Sequence, residues 1–423
     1  MIEITDDYQR VVDKIALRQQ LDDCIVIDAV TAIMNDVRKN KDQALKKLTK
    51  QFDNTVIEAI EITEEQIRKA YDDIDEQFLG IIRKSIMNVK EYHEKQVFES
   101  WSWQKEKGIT LGQKVTPLEK VGIYVPGGTA PLVSSVIMNA VPAKVAGVKS
   151  VIMCTPPPID SGRIVAAVES GVDAIYQVGG AQAIFAMAFG TETISKVDKI
   201  TGPGNIYVAN AKKMVYGFCN IDMIAGPSEI MIIADEKSNV QYIAADLLSQ
   251  AEHDERAAVI LATTDDQIAK KVNDELIRQT KNLKRKAVIK KSINDYGIIY
   301  VNSNMEELVM LANEIAPEHL ELLTENNDTI SQKIRNAGAI FMGEYSPEPL
   351  GDYFAGPNHT LPTGGTARFY SPLGTYDFIK RTSLIEYDRS SLLKVYEDIA
   401  SFADFEQLDA HANAVKIRFG ESE

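Results

Sequence analysis

Two short polar clusters carry groups suited to metal binding and proton transfer. Gln250-Ala251-Glu252-His253 closes a predicted helix that begins near Asn239. Residues three apart share one helix face, so Gln250 and His253 can converge on one point and form half of a metal site. On this fragment alone, a surface helix end is the stronger reading, because Gln is an unusual ligand. Glu318-His319 follows Ala316-Pro317, and proline ends the preceding helix. An adjacent carboxylate and imidazole at a loop tip suit general acid–base work, with an exposed polar turn as the competing reading. Asp352 and His359 lie in GEYSPEPLGDYFAGPNHTLPTGGTARFYSPLG, a long stretch with little periodicity, where a site and an idle loop both stay open. The chain has 5 His in all. His93, within KEYHEKQ, is expected to be solvated on a charged helix. Cys154, within VIMCT, reads as a buried strand residue rather than a nucleophile, because no cation adjoins it to lower its pKa.

Three glycine loops, GIYVPGG, QVGGAQ and ITGPGN, each follow a predicted strand and lead into a helix. Backbone amides meet anions at such places. None fits the GxGxxG fingerprint: GPGNIY has Gly202 and Gly204, but Tyr207 where the third glycine belongs. Tight-turn geometry is the competing explanation.

The elements that must position these groups follow from the hydrophobic pattern. Residues 63–95 repeat apolar residues at helical spacing and open with Thr63 and Gln66 in the arrangement of a capping box. Trp101 and Trp103 alternate with polar residues and predict a short strand. From about residue 120, short apolar runs alternate with loops and helices: VGIYV, SVIMCT, DAIYQV, KITGPGN, MIIAD, AAVILAT and GIIYVN. That alternation predicts parallel sheets with helices on both faces. Two sheets are expected, because Gly226-Pro227 breaks the series near its middle. The tail from Ser390 onward reads as helical.

Composition narrows the function classes. A chain of 423 residues allows two to four structural units at roughly 100–200 residues each. The formal net charge of −15, without a basic stripe, argues against a nucleic-acid partner. Three cysteines without motif spacing argue against a disulfide framework. The start MIEITDDYQR has no apolar core of a signal peptide, and no long apolar run spans a membrane. A cytoplasmic protein is expected.

Taken together, the motifs resemble the histidinol dehydrogenase family along almost the whole chain. The matching segments are VGIYVPGGTAPLVSSVIMNAVPAKVAGV, VGGAQAIFAMAFGTE, ITGPGNIYVANAKK, IAGPSEI, DLLSQAEHDE, IAPEHLEL, LGDYFAGPNHTLPTGGTARF and DAHANAVKIR. The resemblance implies an α/β fold of two incomplete Rossmann-like doubly wound units with helical N-terminal and small C-terminal pieces. It divides the chain into an arm (1–23), a first unit (24–123 with 229–373), a second unit (124–228) and a tail (374–423) that reaches a partner subunit. It implies oxidation of L-histidinol to L-histidine through an aldehyde, with two NAD molecules and one zinc ion per subunit, in a homodimer with shared sites. The family's zinc ligands carry over onto Gln250, His253, Asp352 and His411, and its catalytic pair onto Glu318 and His319. NAD contacts carry over onto Tyr124, Gln182 and Asn205. Substrate contacts carry over onto Ser228, His359 and Glu406, besides the zinc ligands and His319. Two other classes stay open: a zinc hydrolase using Glu318 to activate water, and a non-catalytic metal-binding oligomer. The glycine loops and the missing HExxH argue against the first, the Glu–His pair against the second. Within the family, a relative oxidising another small alcohol is a further alternative.

Overall fold

Runs such as Ile230–Ala234 and Ala258–Ala262 carry no charge and are buried at every position. Strands of this kind need cover on both faces, which parallel sheets wrapped by helices provide. The computed structural model describes residues 2–16, 18, 24–127 and 131–420, so the arm expected over 1–23 falls partly outside them. Strand β1 covers Glu3–Thr5, β2 Trp101–Glu106 and β3 Ile109–Pro117. Then come β4 (Lys120–Tyr124), β5 (Ser150–Cys154), β6 (Ala174–Tyr176), β7 (Lys199–Thr201) and β8 (Asn220–Ile221). The series continues with β9 (Glu229–Ala234), β10 (Ala258–Thr263), β11 (Gly297–Val301), β12 (His319–Leu323), β13 (Ala339–Met342) and β14 (Ile379–Tyr387).

Two compact units result: residues 1–96 with 118–378, and residues 97–117 with 379–423. The first unit holds two parallel sheets, ordered β6-β5-β4-β7-β8 and β1-β11-β10-β9-β12-β13. In each, the series starts inside the sheet, at β4 or β9, and later strands add on one side and then the other. That is the doubly wound, Rossmann-like α/β arrangement, with switch points between β4 and β7 and between β9 and β12. The break at Gly226-Pro227 lies between the sheets, as expected. Each sheet is covered on both faces by its own apolar clusters.

Three groupings differ from the sequence reading. Residues 24–94, assigned with 229–373, pack on the five-stranded sheet instead. Val30, Val37 and Leu45 of helix Cys24–Phe52 share a cluster with Ile184 and Phe185, and Ile82 and Val89 share one with Val136 and Val165. The described part of the N-terminal arm is no separate piece, because β1 extends the six-stranded sheet by pairing with β11. The helical run 63–95 is two helices, Glu64–Asp73 and Glu76–Glu94. Thr63 and Gln66 do form the capping box, but Asp75 starts the second helix by accepting from the Gln77 and Phe78 amides.

The second unit is built from an antiparallel sheet, β14-β3-β2, and the helices Tyr396–Phe405 and Asp409–Lys416. Trp101 and Trp103 lie in β2, as their alternation predicted. Among the described residues, no helix is long and apolar enough to cross a membrane.

Candidate active site

Ala316, in the left-handed region at φ 51, and Pro317 turn the chain out of helix Met305–Ile315 and into β12. His319 is therefore the first residue of a buried strand and not, as expected, part of a loop tip. Parallel pairing with β9 sets His319 opposite Ile230 and next to Glu229. The Glu229 amide donates to Glu318 Oε2 at 2.9 Å, and the Glu229 carbonyl lies 3.1 Å from His319 Nδ1. A carbonyl only accepts, so Nδ1 carries the proton and Nε2 keeps a lone pair. His319 Nε2 is buried and has no partner. Burial pushes the His319 pKa down to about 3, so the ring is neutral at neutral pH. Burial, followed by the charges of Glu229, Asp352 and Glu348, pushes the Glu318 carboxyl well above the usual range. A carboxyl of raised proton affinity beside a neutral imidazole can serve general acid–base chemistry.

A second cluster forms where helix Val240–Ala251 ends. Gln250 is fully buried, and neither atom of its side-chain amide has a partner. An unsatisfied buried amide is costly, and a bound ligand would offset that cost. His253 follows at the exposed end of the helix, while Glu348 and Asp352 approach from helix Glu348–Tyr353. One potential ligand atom each from His253, Glu348 and Asp352 lie within 4.8 Å of one another. Burial pushes Asp352 up to about 6, and burial with the Asp352 charge pushes Glu348 up to about 8. Crowded carboxylates, an imidazole and an orphaned amide oxygen fit a divalent cation that takes nitrogen and oxygen ligands. Glu348 was not singled out from the sequence, although it stands one helical turn before Asp352. His359 Nδ1 donates to the Asp352 carbonyl at 3.0 Å, and its Nε2 lies 3.4 Å from Ser135 Oγ. Burial pushes the His359 pKa down to about 4. Ser135 belongs to helix Val133–Val145, which follows β4, so the first glycine loop leads to this cluster.

Ser228, half-buried just before β9, offers its carbonyl to Arg18 and to the Ala258 amide. Glu406 and His411 belong to the second unit, at the end of helix Tyr396–Phe405 and within helix Asp409–Lys416, and both are exposed. The cluster described above is built from the first unit's residues alone. His93, expected in solvent, is fully buried: Nδ1 donates to the Val89 carbonyl at 2.7 Å, and Asn358 Nδ2 lies 3.5 Å from Nε2. Its helix is charged on the outside, but this position faces inward under the loop that carries Asn358.

The glycine loops gather at the carboxyl ends of the five-stranded sheet, where β4 and β7 form the switch point. Residues 128–130 of the first loop lie outside the described residues. Tyr124, at the end of β4, is buried, and its hydroxyl accepts from the Gly180 amide at 2.9 Å. Burial raises its pKa above the usual phenol range. Gln182 is 1% exposed, and neither of its amide atoms has a partner. Asn205 is the N-cap of helix Ile206–Val215, with Oδ1 accepting from the Tyr207 and Val208 amides at 3.1 Å each. Gly202 has φ +113, and a Cβ there would collide with the Tyr124 carbonyl oxygen. The Gly202 amide donates to Asp222 Oδ2 at 2.8 Å, and its carbonyl accepts from Lys212 at 2.9 Å. Lys212 and Asp222 are themselves paired, a brace that no local motif in the sequence reveals. At the equivalent switch point of the six-stranded sheet, Ser238 donates to the Leu323 carbonyl and the Glu325 amide donates to Asp235.

Cys154 ends β5 with its thiol fully buried, and burial raises its pKa far above the usual range. A thiol held protonated is no nucleophile. Cys154→Ala should keep turnover within about threefold and cost about 1 kcal/mol in stability. Steady-state kinetics and a thermal melt check this. A loss matching that of His319→Ala in a folded protein would make the cysteine catalytic.

Against known proteins, a family model described as histidinol dehydrogenase matches residues 16–419. Histidinol dehydrogenase of Bacillus licheniformis is 53% identical over 394 residues, 92% of this chain and 92% of that protein. The enzyme of that name from Clostridium acetobutylicum is 50% identical over 417 residues, 98% of this chain and 97% of its own. Among solved structures, histidinol dehydrogenase from Elizabethkingia anophelis matches with a TM-score of 0.93 at 36% identity, covering 99% of this chain and 98% of that one.

Proposed function

Since the chain belongs to the histidinol dehydrogenase family, we propose that it oxidises L-histidinol to L-histidine through histidinal in two successive hydride transfers to NAD. The observation that carries this reading is the buried pair at the start of β12, a neutral His319 with Nε2 free beside a proton-hungry Glu318. The enzyme acts in the cytoplasm as a homodimer, without nucleic acid or membrane as partner. Gln250, His253 and Asp352, with His411 from the tail of a second copy, hold one zinc ion per site; the orphaned Gln250 amide supports this set. When bound, zinc supplies a positive template for the amine and imidazole nitrogens of the substrate. NAD, held at Tyr124, Gln182 and Asn205, supplies the hydride acceptor, and the unpartnered Gln182 amide supports its place there.

The chain's own residues divide the proton work. His319 Nε2 takes the alcohol proton as hydride leaves the carbinol carbon, and the Glu229 carbonyl on Nδ1 keeps the ring aimed. In the second oxidation, water adds to the aldehyde carbon, and Glu318 takes a proton from that water. Burial raises the proton affinity of Glu318, which strengthens the carboxylate as a proton acceptor once it is ionised. Glu406 accepts a hydrogen bond from the substrate amino group, and Ser228 and His359 line the same site.

Histidinol and NAD should give two NADH per histidinol, read by absorbance. Removing the metal with a chelator should abolish turnover, and added zinc should restore it, because the ligands include imidazoles that release metal readily in acid. His253→Ala should lower the bound metal measured by elemental analysis, whereas His319→Ala should keep the metal and lose turnover. Full activity in a verified zinc-free sample would sink the zinc assignment. A hydrolase would make no NADH, and a relative with another substrate would need another alcohol.

A further inference from the structure

The side chains of Arg18 and Glu229 have no part in the chemistry above, yet they form a buried ion pair directly behind it. Arg18 is 3% exposed and Glu229 is wholly buried. Arg18 Nη1 donates to Glu229 Oε2 at 2.8 Å, and its other nitrogens donate to the carbonyls of Pro227, Ser228 and Arg256 at 2.8–2.9 Å. Glu229 Oε1 accepts from the Gly364 amide at 3.0 Å. The backbone of the same glutamate holds both working groups, its amide on Glu318 and its carbonyl on His319. Stability alone does not account for such a pair, since apolar residues of equal volume often replace a buried ion pair without loss.

We propose that Arg18 and Glu229 are positioning residues: Arg18 pins the start of β9 and neutralises Glu229, whose backbone aims Glu318 and fixes the His319 tautomer. The inference rests on the dehydrogenase reading and deepens it. Glu318 faces Glu229 from β9, Asp352 and Glu348 from helix Glu348–Tyr353, and His319 from its own strand. Burial raises the Glu229 carboxyl pKa, the paired Arg18 favours its charged form, and that charge opposes ionisation of Glu318.

Glu229→Gln keeps the backbone bonds and the side-chain shape but leaves the Arg18 cation uncompensated. Combined with Arg18→Met, which removes that cation and the clamp on the start of β9, it should lower kcat for histidinal oxidation by ~10-fold with KM little changed. A pair that merely stabilises the fold would lower the melting temperature and leave kcat in place. An unchanged kcat in the folded double variant overturns the proposal. Should neither variant fold, the unaltered enzyme decides by ¹⁵N-histidine NMR at neutral pH, with the His319 signals assigned by their loss in His319→Asn. They must show a neutral ring with its proton on Nδ1; a proton on Nε2 overturns the arrangement. Absence of NADH from histidinol in the unaltered enzyme would instead remove the dehydrogenase reading, and the NMR result needs no turnover.

Discussion

Glu318→Gln should slow the oxidation of histidinal by ~10²–10⁴-fold, the usual worth of a general base. Oxidation of histidinol to the aldehyde should fall by less than about tenfold, because that step uses His319 instead. Gln is close in shape, and its amide oxygen can keep the bond from the Glu229 amide that holds Glu318 at 2.9 Å. The substitution therefore removes a proton acceptor and little else. His319→Ala should impair both half-reactions, since the imidazole takes the proton of the alcohol and, in the second step, that of the hydrated aldehyde. Stopped-flow measurement of NADH formation from each substrate separates the two steps. Equal losses in both for Glu318→Gln would end this division of labour.

What the sequence made legible was residue type and local order. Strand–loop–helix alternation foretold two parallel sheets, and Gly226-Pro227 marked the border between them. The glycine loops were readable as turns that open helices, and Gly202 shows why: its φ of +113 and its contact with Tyr124 exclude a side chain. Pairing between distant strands was not legible. The site needs β9 beside β12, which puts Glu229 next to residues about ninety positions later in the chain. No local pattern in Arg18, Glu229 or Glu348 announces that they meet the site, because each is an ordinary charged residue until the sheet forms. His93 was misplaced for a related reason. Its neighbours are charged, but burial on a helix depends on which face the position occupies, and Asn358 covers that face from far along the chain. Strand β14 likewise takes its meaning from β3, more than 260 residues earlier.

Glu318→Ala and His411→Ala should each be nearly inactive alone, yet co-folding them in equal amounts should return about a quarter of wild-type activity. Glu318 belongs to the first compact unit and His411 to the second. In the proposed homodimer, each site combines the first unit of one subunit with the tail of its partner. Random pairing makes half the dimers mixed. In a mixed dimer, one site receives both lesions, and the other joins an intact Glu318 to an intact His411. Half the dimers with one of two sites working gives the quarter, provided the sites turn over independently. The exposed positions of His411 and Glu406 leave both side chains free to serve a site outside their own unit. If the tail instead served its own chain, each subunit of the mixed dimer would carry a lesion, and nothing would return. The mixture must be shown to contain mixed dimers, for example by tagging one variant and capturing the other with it. With mixed dimers present and no activity regained, the shared site would be refuted, whereas recovery near a quarter follows from the arithmetic of exchange between two subunits.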